Sequence, residues 1–430
     1  MNRPTRCGLA AAAAATMSGL LVSASGPVVA ASAEVTRPAA RASTMVLVGR
    51  GYGHGRGMSQ WGAYGAAARH GLSWRRILSF YYPGTVATSQ SNTTLKVWIS
   101  EDRDANTTVL PVAGLTVTVA GRTLTVPVGA SYRAWRAVGG ISLSVQYRDA
   151  RGTWRAFPSS LPKSTDVAFS SGPLTSYTRA ARAMTRTVRL VLPSGRTREL
   201  RGVLHATVSG GTSRSILHST MESYLRGVVP AEMPASWHTN ALSAQAVAAR
   251  TYAAAYRDRQ RARKAAWDIC DTISCQVFSG VAQYSLGGTR AAKEHPRTDA
   301  AIAAANGVVL RSSAARGAGL ANTEFSAANG GYTVGGAAGY IVAKPDPYDG
   351  AVSNPSNSWT TSVSIATLQS RYRLGRLSEV RVLKRDGRGA LGGRVLQLQL
   401  VGSSRTVTVT GAQLRSALRL KSDWFAFRSA

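Results

Sequence analysis

Acidic side chains are scarce in this chain. Its 430 residues contain 20 Asp and Glu against 52 Lys and Arg, which gives a formal net charge of +32. Such an excess favours association with polyanions: nucleic acid, acidic lipid or the anionic polymers of a cell wall. The alternative is that an Arg-rich and Ala-rich composition leaves the charge merely solvated. Charge bears on association and solubility, and it does not specify the fold.

Long hydrophobic runs are also lacking. A membrane-spanning helix needs about 20 strongly apolar residues. The longest candidate run, Leu9 to Val29, is mostly alanine and is broken by Ser, Gly and Pro. It follows two arginines and precedes the small-residue pattern ASA at residues 31–33, which is typical of signal-peptide cleavage. We interpret residues 1–33 as a signal peptide and expect a secreted protein, extracellular or associated with the cell wall, without a membrane span after cleavage.

Export narrows the expected partners. Cleavage after residue 33 would remove two arginines and leave 50 basic against 20 acidic residues, a net charge of +30. A nucleic-acid partner is therefore not expected, whereas anionic cell-wall polymers are. The remaining length is enough for about two or three domains.

Cysteine is rare as well, with three in the whole chain. Cys7 would leave with the signal peptide. Cys270 and Cys275 would remain in an oxidising compartment, where they most simply form one disulfide. Zinc binding is the alternative, but neither a His pair nor a second Cys pair follows at the usual spacing. We therefore predict no metal site and no cofactor.

Common catalytic motifs are missing. The sequence contains no G-x-S-x-G, H-E-x-x-H or G-x-x-x-x-G-K-[ST] pattern. These absences argue against a hydrolase nucleophile elbow, a zincin-type metalloprotease and a P-loop nucleotidase.

What is present predicts an α+β fold. Residues 34–45 have no periodicity and are interpreted as a linker, while residues 46–86 combine a glycine-rich loop with two short helices. Residues 87–200 alternate apolar with polar or β-branched side chains between turn residues, which indicates a β-rich inserted region. Residues 201–430 contain a long amphipathic helix expected to pack on sheet, followed by further strands.

Capping residues set the expected helix limits. Ser59 predicts a helix to about Arg69, and Ser73 predicts a second short helix. A capping-box pattern at residues 219–222 predicts a helix through Leu225. Asn240 is expected to cap the long helix, which ends near Arg263.

One carboxylate stands out in the segment VVPAEMPAS. Glu232 lies between Pro230 and Pro234, and each proline restricts the backbone. That framing is stiffer than a surface glutamate needs, so Glu232 is the candidate catalytic residue. The alternative is a structural role, because lone glutamates are usually surface or capping groups.

A glycine-rich loop, GRGYGHGRG at residues 49–57, is the second candidate. Alternate glycines in an extended strand would leave one face bare for a polymer or another backbone. His54 and Gln60 supply polar groups there. The segment does not match the dinucleotide-binding pattern G-x-G-x-x-G. The alternative is a packing turn with a structural histidine.

Four stretches together resemble the stage II sporulation protein D (SpoIID) / LytB family. YLRGVVPAEMPASWHTNALSAQAVAARTYA (Tyr224 to Ala253) and GRGYGHGRGMSQWGAYGAAARHGLSWRRILSFYYPGT (Gly49 to Thr85) are the long ones. CQVFSG (Cys275 to Gly280) and FSAANGG (Phe325 to Gly331) are the short ones. The resemblance implies a SpoIID-like catalytic core formed by residues 46–86 and 201–430.

The order of these stretches departs from the family. Its GHG segment usually follows the catalytic segment and closes the chain, whereas here it comes first. The resemblance therefore implies a circular permutant, which folds tolerate when the chain ends lie close together. We expect Ala430 near Val46, and Gly49–Gly57 beside Glu232.

The resemblance also implies a reaction. Sporulation-type members are lytic transglycosylases that cut peptidoglycan glycan strands stripped of stem peptides, and the LytB type is regarded as an enhancer of a cell-wall amidase. Glu232 matches the family's essential glutamate. A lytic transglycosylase uses the substrate's own hydroxyl as nucleophile, so one carboxyl group can serve as acid and then as base. Polar positions that recur in the family, expected to bind substrate, are His54, Gln60, Gln245, Arg250 and Ser326.

Aromatic residues offer a further means of binding sugars. Tyr252, together with Tyr52, Trp61 and Trp237, is a candidate for stacking on sugar faces, although aromatics at helical spacing more often pack in a core. Two other functions stay open. One is a non-catalytic wall-binding protein that enhances an N-acetylmuramoyl-L-alanine amidase. The other is a structural or adhesive protein whose binding module is residues 95–204.

Overall fold

A computed structural model describes residues 34–39, 43–157, 161–172, 187–313 and 319–428. These ranges form a mixed α+β fold, as predicted. The signal peptide assigned to residues 1–33 lies outside them. They contain seven α-helices: α1 (Gln60–His70), α2 (Trp74–Tyr81), α3 (Met221–Glu232), α4 (Thr239–Ala262), α5 (Pro296–Ala304), α6 (Ile365–Tyr372) and α7 (Gly411–Leu418).

Two large sheets account for most of the strands. The seven-stranded sheet has the spatial order Ile269–Cys270, Thr94–Trp98, Thr212–Thr220, Val203–Ser209, Asp166–Ser170, Thr116–Val119, Arg122–Thr125. The eight-stranded sheet has the order Trp154–Ala156, Ser144–Asp149, Tyr132–Val138, Asn106–Leu110, Val188–Val191, Thr197–Leu200, Ala282–Tyr284, Arg290–Ala292. Both are antiparallel, apart from the short Ile269–Cys270 strand, which pairs parallel to its neighbour.

The smaller sheets hold the rest of the chain. A four-stranded sheet has the order Glu34–Thr36, Leu377–Arg385, Val395–Gly402, Thr406–Val409, and a three-stranded sheet the order Trp359–Ser364, Thr44–Gly49, Phe425–Phe427. Two strand pairs complete the set: Thr85–Ser89 with Val308–Ser312, and Met58–Ser59 with Phe325–Ser326.

The first two helices begin where their caps predicted. The Ser59 hydroxyl accepts a hydrogen bond from the Gly62 N–H at the start of α1, and Gly71 ends that helix in the left-handed conformation. The Ser73 hydroxyl accepts from the Arg76 N–H at the start of α2. Both starts are confirmed, because each hydroxyl satisfies a free backbone donor of the first turn.

The limits of α3 and α4 differ from the predictions. Helix α3 is capped by Thr220, one residue after the first residue of the predicted capping box, and it continues through Pro230 to Glu232 instead of ending at Leu225. Its apolar face is fully buried, and this packing outweighs the lost hydrogen bond of the proline. Helix α4 is capped by His238 rather than Asn240, since the His238 Nδ1 accepts the Asn240 N–H at 3.2 Å.

The β-rich region is not structurally separate from the helical core. Trp135 and Phe169 of the sheets share one hydrophobic cluster with Leu225 of α3 and Ala249 of α4. Strands from beyond residue 200 also pair within both large sheets. The predicted boundary at residue 200 therefore crosses a continuous core. The predicted linker also contains a strand, Glu34–Thr36, which pairs with Leu377–Arg385.

Distant parts of the chain meet in the three-stranded sheet. Thr44–Gly49 lies between Trp359–Ser364 and Phe425–Phe427, with Leu47 opposite Phe427. The Arg428 N–H donates to the Val46 carbonyl at 2.9 Å. Ala430 lies outside the described residues, but the chain two residues earlier is adjacent to Val46. This sheet fixes the position of the glycine-rich loop, which begins at Gly49.

Among the helices of the described ranges, none is both long and apolar enough to cross a membrane.

Candidate active site

Glu232 is the last residue of α3, and its carboxyl group has two defined partners. One oxygen accepts a hydrogen bond from the Gln60 amide Nε2 at 3.1 Å, and the other accepts the Val277 N–H at 3.1 Å. Gln60 is the first residue of α1, in the segment that carries the glycine-rich loop. The predicted proximity of this segment to Glu232 is thus present in the structure.

Burial shifts the protonation equilibrium of the Glu232 carboxyl group. It raises the pKa of Glu232 above the usual range, and the hydrogen bonds from Val277 and Gln60 offset only part of that increase. Two arginines could have lowered the pKa, but neither contacts this carboxyl group. Arg250 is paired with Glu222, and Arg226 lies 3.7 Å from Asp299. The surroundings of Glu232 therefore favour its protonated form.

Glu232 faces a cleft of about 620 Å³ between the glycine-rich loop, α4 and the segments around Val277 and Ser326. Its lining combines polar, charged and aromatic side chains. The polar, charged and aromatic side chains that line the cleft include Tyr52, His54, Arg56, Gln60, Glu232, Tyr252, Glu324, Ser326 and Arg415.

The glycine-rich loop is not the extended strand that its alternation predicted. Gly51, Gly53, Gly55 and Gly57 all have positive φ, between 66° and 106°. A Cβ on Gly57 would lie 1.9 Å from the Glu324 carbonyl oxygen, and one on Gly53 would lie 2.6 Å from the Ser326 Cβ. The glycines therefore permit left-handed turns and close packing against the neighbouring segment.

His54 is held in one neutral tautomer. Its Nδ1 accepts the Arg56 N–H at 3.0 Å, so the proton of the neutral ring is on Nε2. Burial, and next the charge of Arg56, lower the pKa of His54 to about 4. At neutral pH the ring presents the cleft with a hydrogen-bond donor rather than a cation or a general base.

We expect the His54 imidazole to titrate near pH 4. The unfolded chain would bind a proton at about 6.5, so this residue lowers the free energy of unfolding as the pH falls from about 6.5 to about 4. An NMR titration of the ring Cε1 proton, assigned with His54→Gln, measures the pKa directly. A midpoint near 6.5 would contradict the buried environment.

Ser59 positions Gln60. Its hydroxyl caps α1 and also hydrogen-bonds the buried Asp349 carboxylate. Asp349 in turn accepts the N–H groups of Asn329 and Gly330 at 3.1 and 3.0 Å. The first turn of α1 is therefore fixed to the segment after Ser326, and Gln60 is aimed at Glu232.

Two further predicted residues line the cleft in different ways. The Ser326 hydroxyl accepts the Gly55 N–H at 3.2 Å, so Ser326 holds the glycine-rich loop. The Tyr252 ring packs edge-on against Phe325 at a centroid distance of 6.4 Å and remains partly exposed in the cleft. Tyr52 is 49% exposed beside it. Tyr52 and Tyr252 are thus placed where a sugar ring could stack.

Gln245 and Arg250 do not reach the cleft. Arg250 is 2% exposed, and its guanidinium donates to both Glu222 oxygens at 2.6 and 2.7 Å. Gln245 is fully buried in α4. Their predicted contact with substrate does not fit this arrangement. The family resemblance implied a role in substrate binding for both residues, but the structure buries both side chains around α4.

Two of the four aromatic candidates pack on each other. The Trp61 and Trp237 rings lie 4.7 Å apart, and Tyr64 stacks on Trp237 at the same distance. They belong to a hydrophobic cluster beside α1 and α4. Trp61 and Trp237 therefore fit the alternative prediction for these aromatics, which was packing in a core.

Sequence reasoning missed several cleft residues. Glu324 forms a two-pronged pair with Arg56, with N–O distances of 2.9 to 3.2 Å. Arg415 comes from α7, almost two hundred residues after Glu232. Arg56 lies inside the glycine-rich loop and Glu324 directly precedes the stretch that begins at Phe325, so the position of each was a usable signal. Nothing in the sequence marked Arg415.

Cys270 and Cys275 form the predicted disulfide, with a Cα–Cα distance of 5.6 Å. Cys275 lines the cleft two residues before Val277. No group of three or more His, Cys, Asp or Glu side chains in the described part of the chain could hold a metal ion.

Removal of the disulfide should loosen the Val277 segment. Replacing both cysteines with serine opens a short loop, so we expect a cost of about 2 kcal/mol in the free energy of unfolding. Denaturant melts of the double variant and of the reduced wild type measure this cost. Equal midpoints in the double variant, the reduced wild type and the oxidised wild type would show that the crosslink does not stabilise the cleft wall.

Comparisons with known proteins find similarity in the part of the chain that contains Glu232. Residues 209–311, which include Glu232, match the family model described as stage II sporulation protein, SpoIID. An "Amidase enhancer" of Bacillus subtilis (strain 168) is 33% identical over 153 residues, which is 34% of this chain and 18% of that protein. An uncharacterized protein of Brachyspira hyodysenteriae is 34% identical over 155 residues, covering 35% of this chain and 38% of that protein.

The chain thus spans well under half the length of these relatives. The segment that matches the family model, residues 209–311, contains the candidate acid. Both findings support the resemblance to the SpoIID/LytB family that the motifs indicated.

Proposed function

We propose that this protein is a secreted, cell-wall-acting enzyme, a lytic transglycosylase that cleaves peptidoglycan glycan strands with Glu232 as general acid and then general base. The observation that carries the proposal is the isolation of Glu232 in the cleft, where burial favours a proton on its carboxyl group. A SpoIID family match and an amidase-enhancer relative support a role at the cell wall.

The charged groups of the cleft favour one acid over two. Glycosidases that use water normally need a second free carboxylate as base or nucleophile. Among the described residues that line the cleft, Glu324 is the other carboxylate, and Arg56 engages both of its oxygens. Glu232 is therefore the carboxyl group available to exchange a proton with a substrate.

The reaction then balances within the substrate. Protonated Glu232 gives its proton to the glycosidic oxygen as the bond from that oxygen to the muramic C1 breaks. The muramic C6 hydroxyl attacks C1 and returns its proton to the Glu232 carboxylate, leaving a 1,6-anhydro end. His54 Nε2–H and the exposed rings of Tyr52 and Tyr252 are placed to hold the strand.

The product distinguishes this reaction from its alternatives. We expect the wild type, incubated with peptide-free glycan, to release fragments with 1,6-anhydro-muramic ends detectable by mass spectrometry. Fragments with only reducing ends would indicate hydrolysis instead, with Glu324 as the second carboxylate to examine.

A non-catalytic role is the second candidate, favoured by the amidase-enhancer relative and by the net charge of +32. In that case the protein would bring an amidase to the wall. It predicts pelleting with insoluble wall that weakens as salt rises, faster amidase turnover on addition of this protein, and no anhydro product.

The circular permutation is also part of the proposal. The glycine-rich loop precedes the Glu232 segment in the chain, yet Gly49 pairs with Phe425 and the Gly53 N–H donates to the Lys421 carbonyl. This arrangement supports a loop that continues spatially from residues 420–427, as in the usual family order.

A further inference from the structure

A second hollow adjoins the cleft and is lined with cations. It has a volume of about 350 Å³, and we call it the basic pocket, lined by Tyr52, Arg415, Ser416, Arg419 and Lys421 with two apolar neighbours. Tyr52 and Arg415 also line the cleft that contains Glu232, so the two spaces share a wall.

The cations of the basic pocket come from the end of α7. Arg415 lies in the last turn, Arg419 caps the helix in the left-handed conformation with φ of 54°, and Lys421 follows two residues later. Cations at a helix C-terminus are favourable in general because of the helix dipole. That effect explains a positive charge here, but it does not explain why three of them line a hollow that opens beside the candidate acid.

Arg415 lacks a fixed partner. It is half-buried, and its guanidinium makes no hydrogen bond or ion pair with any residue that the structure describes. The nearby acid is Asp423, which is already paired with Arg394. Burial, and the charge of Arg394, lower the pKa of Arg415. A partly desolvated cation without a partner costs stability that an anionic ligand would restore.

None of the described residues that line the basic pocket is acidic. Hydroxyl groups from Tyr52 and Ser416 add donors beside the three cations. An arginine offers a planar pair of donors that matches a carboxylate or a phosphate. The chemistry of the hollow therefore selects an anion rather than a neutral sugar.

We propose that the basic pocket is a subsite for an anionic group carried by the glycan strand next to the bond cleaved at Glu232. The proposal rests on the proposed function, because it assigns the neighbouring cleft to the strand. Two sources share this chemistry: the carboxylates of muramic acid or of its stem peptide, and phosphate esters that link other polymers to the strand.

Binding measurements test the subsite separately from catalysis. The full chain carrying Glu232→Gln, which prevents turnover, is titrated with peptide-free glycan oligomers, the same oligomers after amidation of their carboxylates, phosphate-substituted oligomers, and neutral N-acetylglucosamine oligomers of equal length. Arg415→Gln and Arg419→Gln are added singly and together. Arg133→Gln, at an exposed strand position away from both hollows, is the matched control.

We expect the arginine double variant to bind an anionic oligomer about tenfold or more weakly and the neutral oligomer unchanged. If oligomer binding depends on the two arginines and this dependence disappears when the oligomer carboxylates are amidated, the bound group is the carboxylate. Dependence seen only with substituted strands identifies the phosphate. An equal loss on neutral oligomers, or no loss on any oligomer, overturns the subsite. Neither arginine side chain hydrogen-bonds a residue that the structure describes, so the variants should melt no lower than the control.

The two proposals can fail independently. Arginine-dependent binding without any anhydro product from the wild type would overturn the transglycosylase and leave the subsite standing. Anhydro product together with arginine-independent binding would overturn the subsite and leave the transglycosylase standing.

Discussion

Replacing Glu232 with Gln should lower the turnover of peptide-free glycan by about 10²–10⁴-fold, or about 2.7–5.4 kcal/mol in the activation free energy. Gln has nearly the same shape and can keep a hydrogen bond at this position, but it cannot give up a proton. Release of anhydro-muramic ends, followed by mass spectrometry, is the measurement.

A matched substitution controls for nonspecific effects. Glu101→Gln changes the same charge at an exposed position outside the cleft, and it should retain full turnover. The unfolding midpoint of Glu232→Gln should equal or exceed that of the wild type, because burial disfavours the charge of Glu232. Glu101→Gln should also have the wild-type midpoint or a higher one. Unchanged turnover in Glu232→Gln would rule out the proposed acid.

The pH dependence carries the same test further. The acid must be protonated, so the rate should fall as the pH rises through the raised pKa of Glu232. His54 has a pKa of about 4 and should add no inflection near pH 6.5. An inflection there that vanishes in His54→Gln would give the histidine a role that its tautomer does not allow.

Breaking the Glu222–Arg250 pair should destabilise the protein by about 3–5 kcal/mol. The two side chains are 1% and 2% exposed and joined by hydrogen bonds of 2.6 and 2.7 Å. Arg250→Met leaves a buried carboxylate without a counter-charge, and Glu222→Met leaves a buried guanidinium. Denaturant melts of each variant give the cost.

The double variant Glu222→Met/Arg250→Met separates structure from function. Removing both charges should recover most of the lost stability, since hydrophobic replacements of buried pairs are often neutral. It should also bind glycan as the wild type does, because Arg250 does not line the cleft. Lost binding in a stably folded double variant would restore the original prediction that Arg250 contacts substrate.

Local sequence signals predicted local structure well. Ser59 and Ser73 capped their helices because each hydroxyl accepts a free backbone N–H of the first turn. The capping-box pattern at residues 219–222 predicted the start of α3 to within one residue but not its end, because burial of the apolar face carried the helix past Pro230. His238 displaced Asn240 as a cap, since its ring Nδ1 accepts the Asn240 N–H and Asn240 lies inside the first turn of α4.

The candidate site was predictable where long motifs marked it and not elsewhere. Glu232, His54, Gln60 and Ser326 lay inside matched stretches, and the structure brings all four to one cleft. Arg250 was misplaced because the sequence did not reveal Glu222 as its partner. Arg415 was missed because its position depends on how the last helix packs against the first loop.

The pairing of Thr44–Gly49 with Phe425–Phe427 has a consequence for biogenesis. A protein that crosses a membrane amino-end first exposes His54 hundreds of residues before Lys421, whose carbonyl anchors Gly53. The loop has no complete support until the final strand has emerged. If the chain is exported as proposed, a partly translocated chain lacks an assembled cleft, and the proposed glycan cleavage would begin only after the whole polypeptide has left the channel.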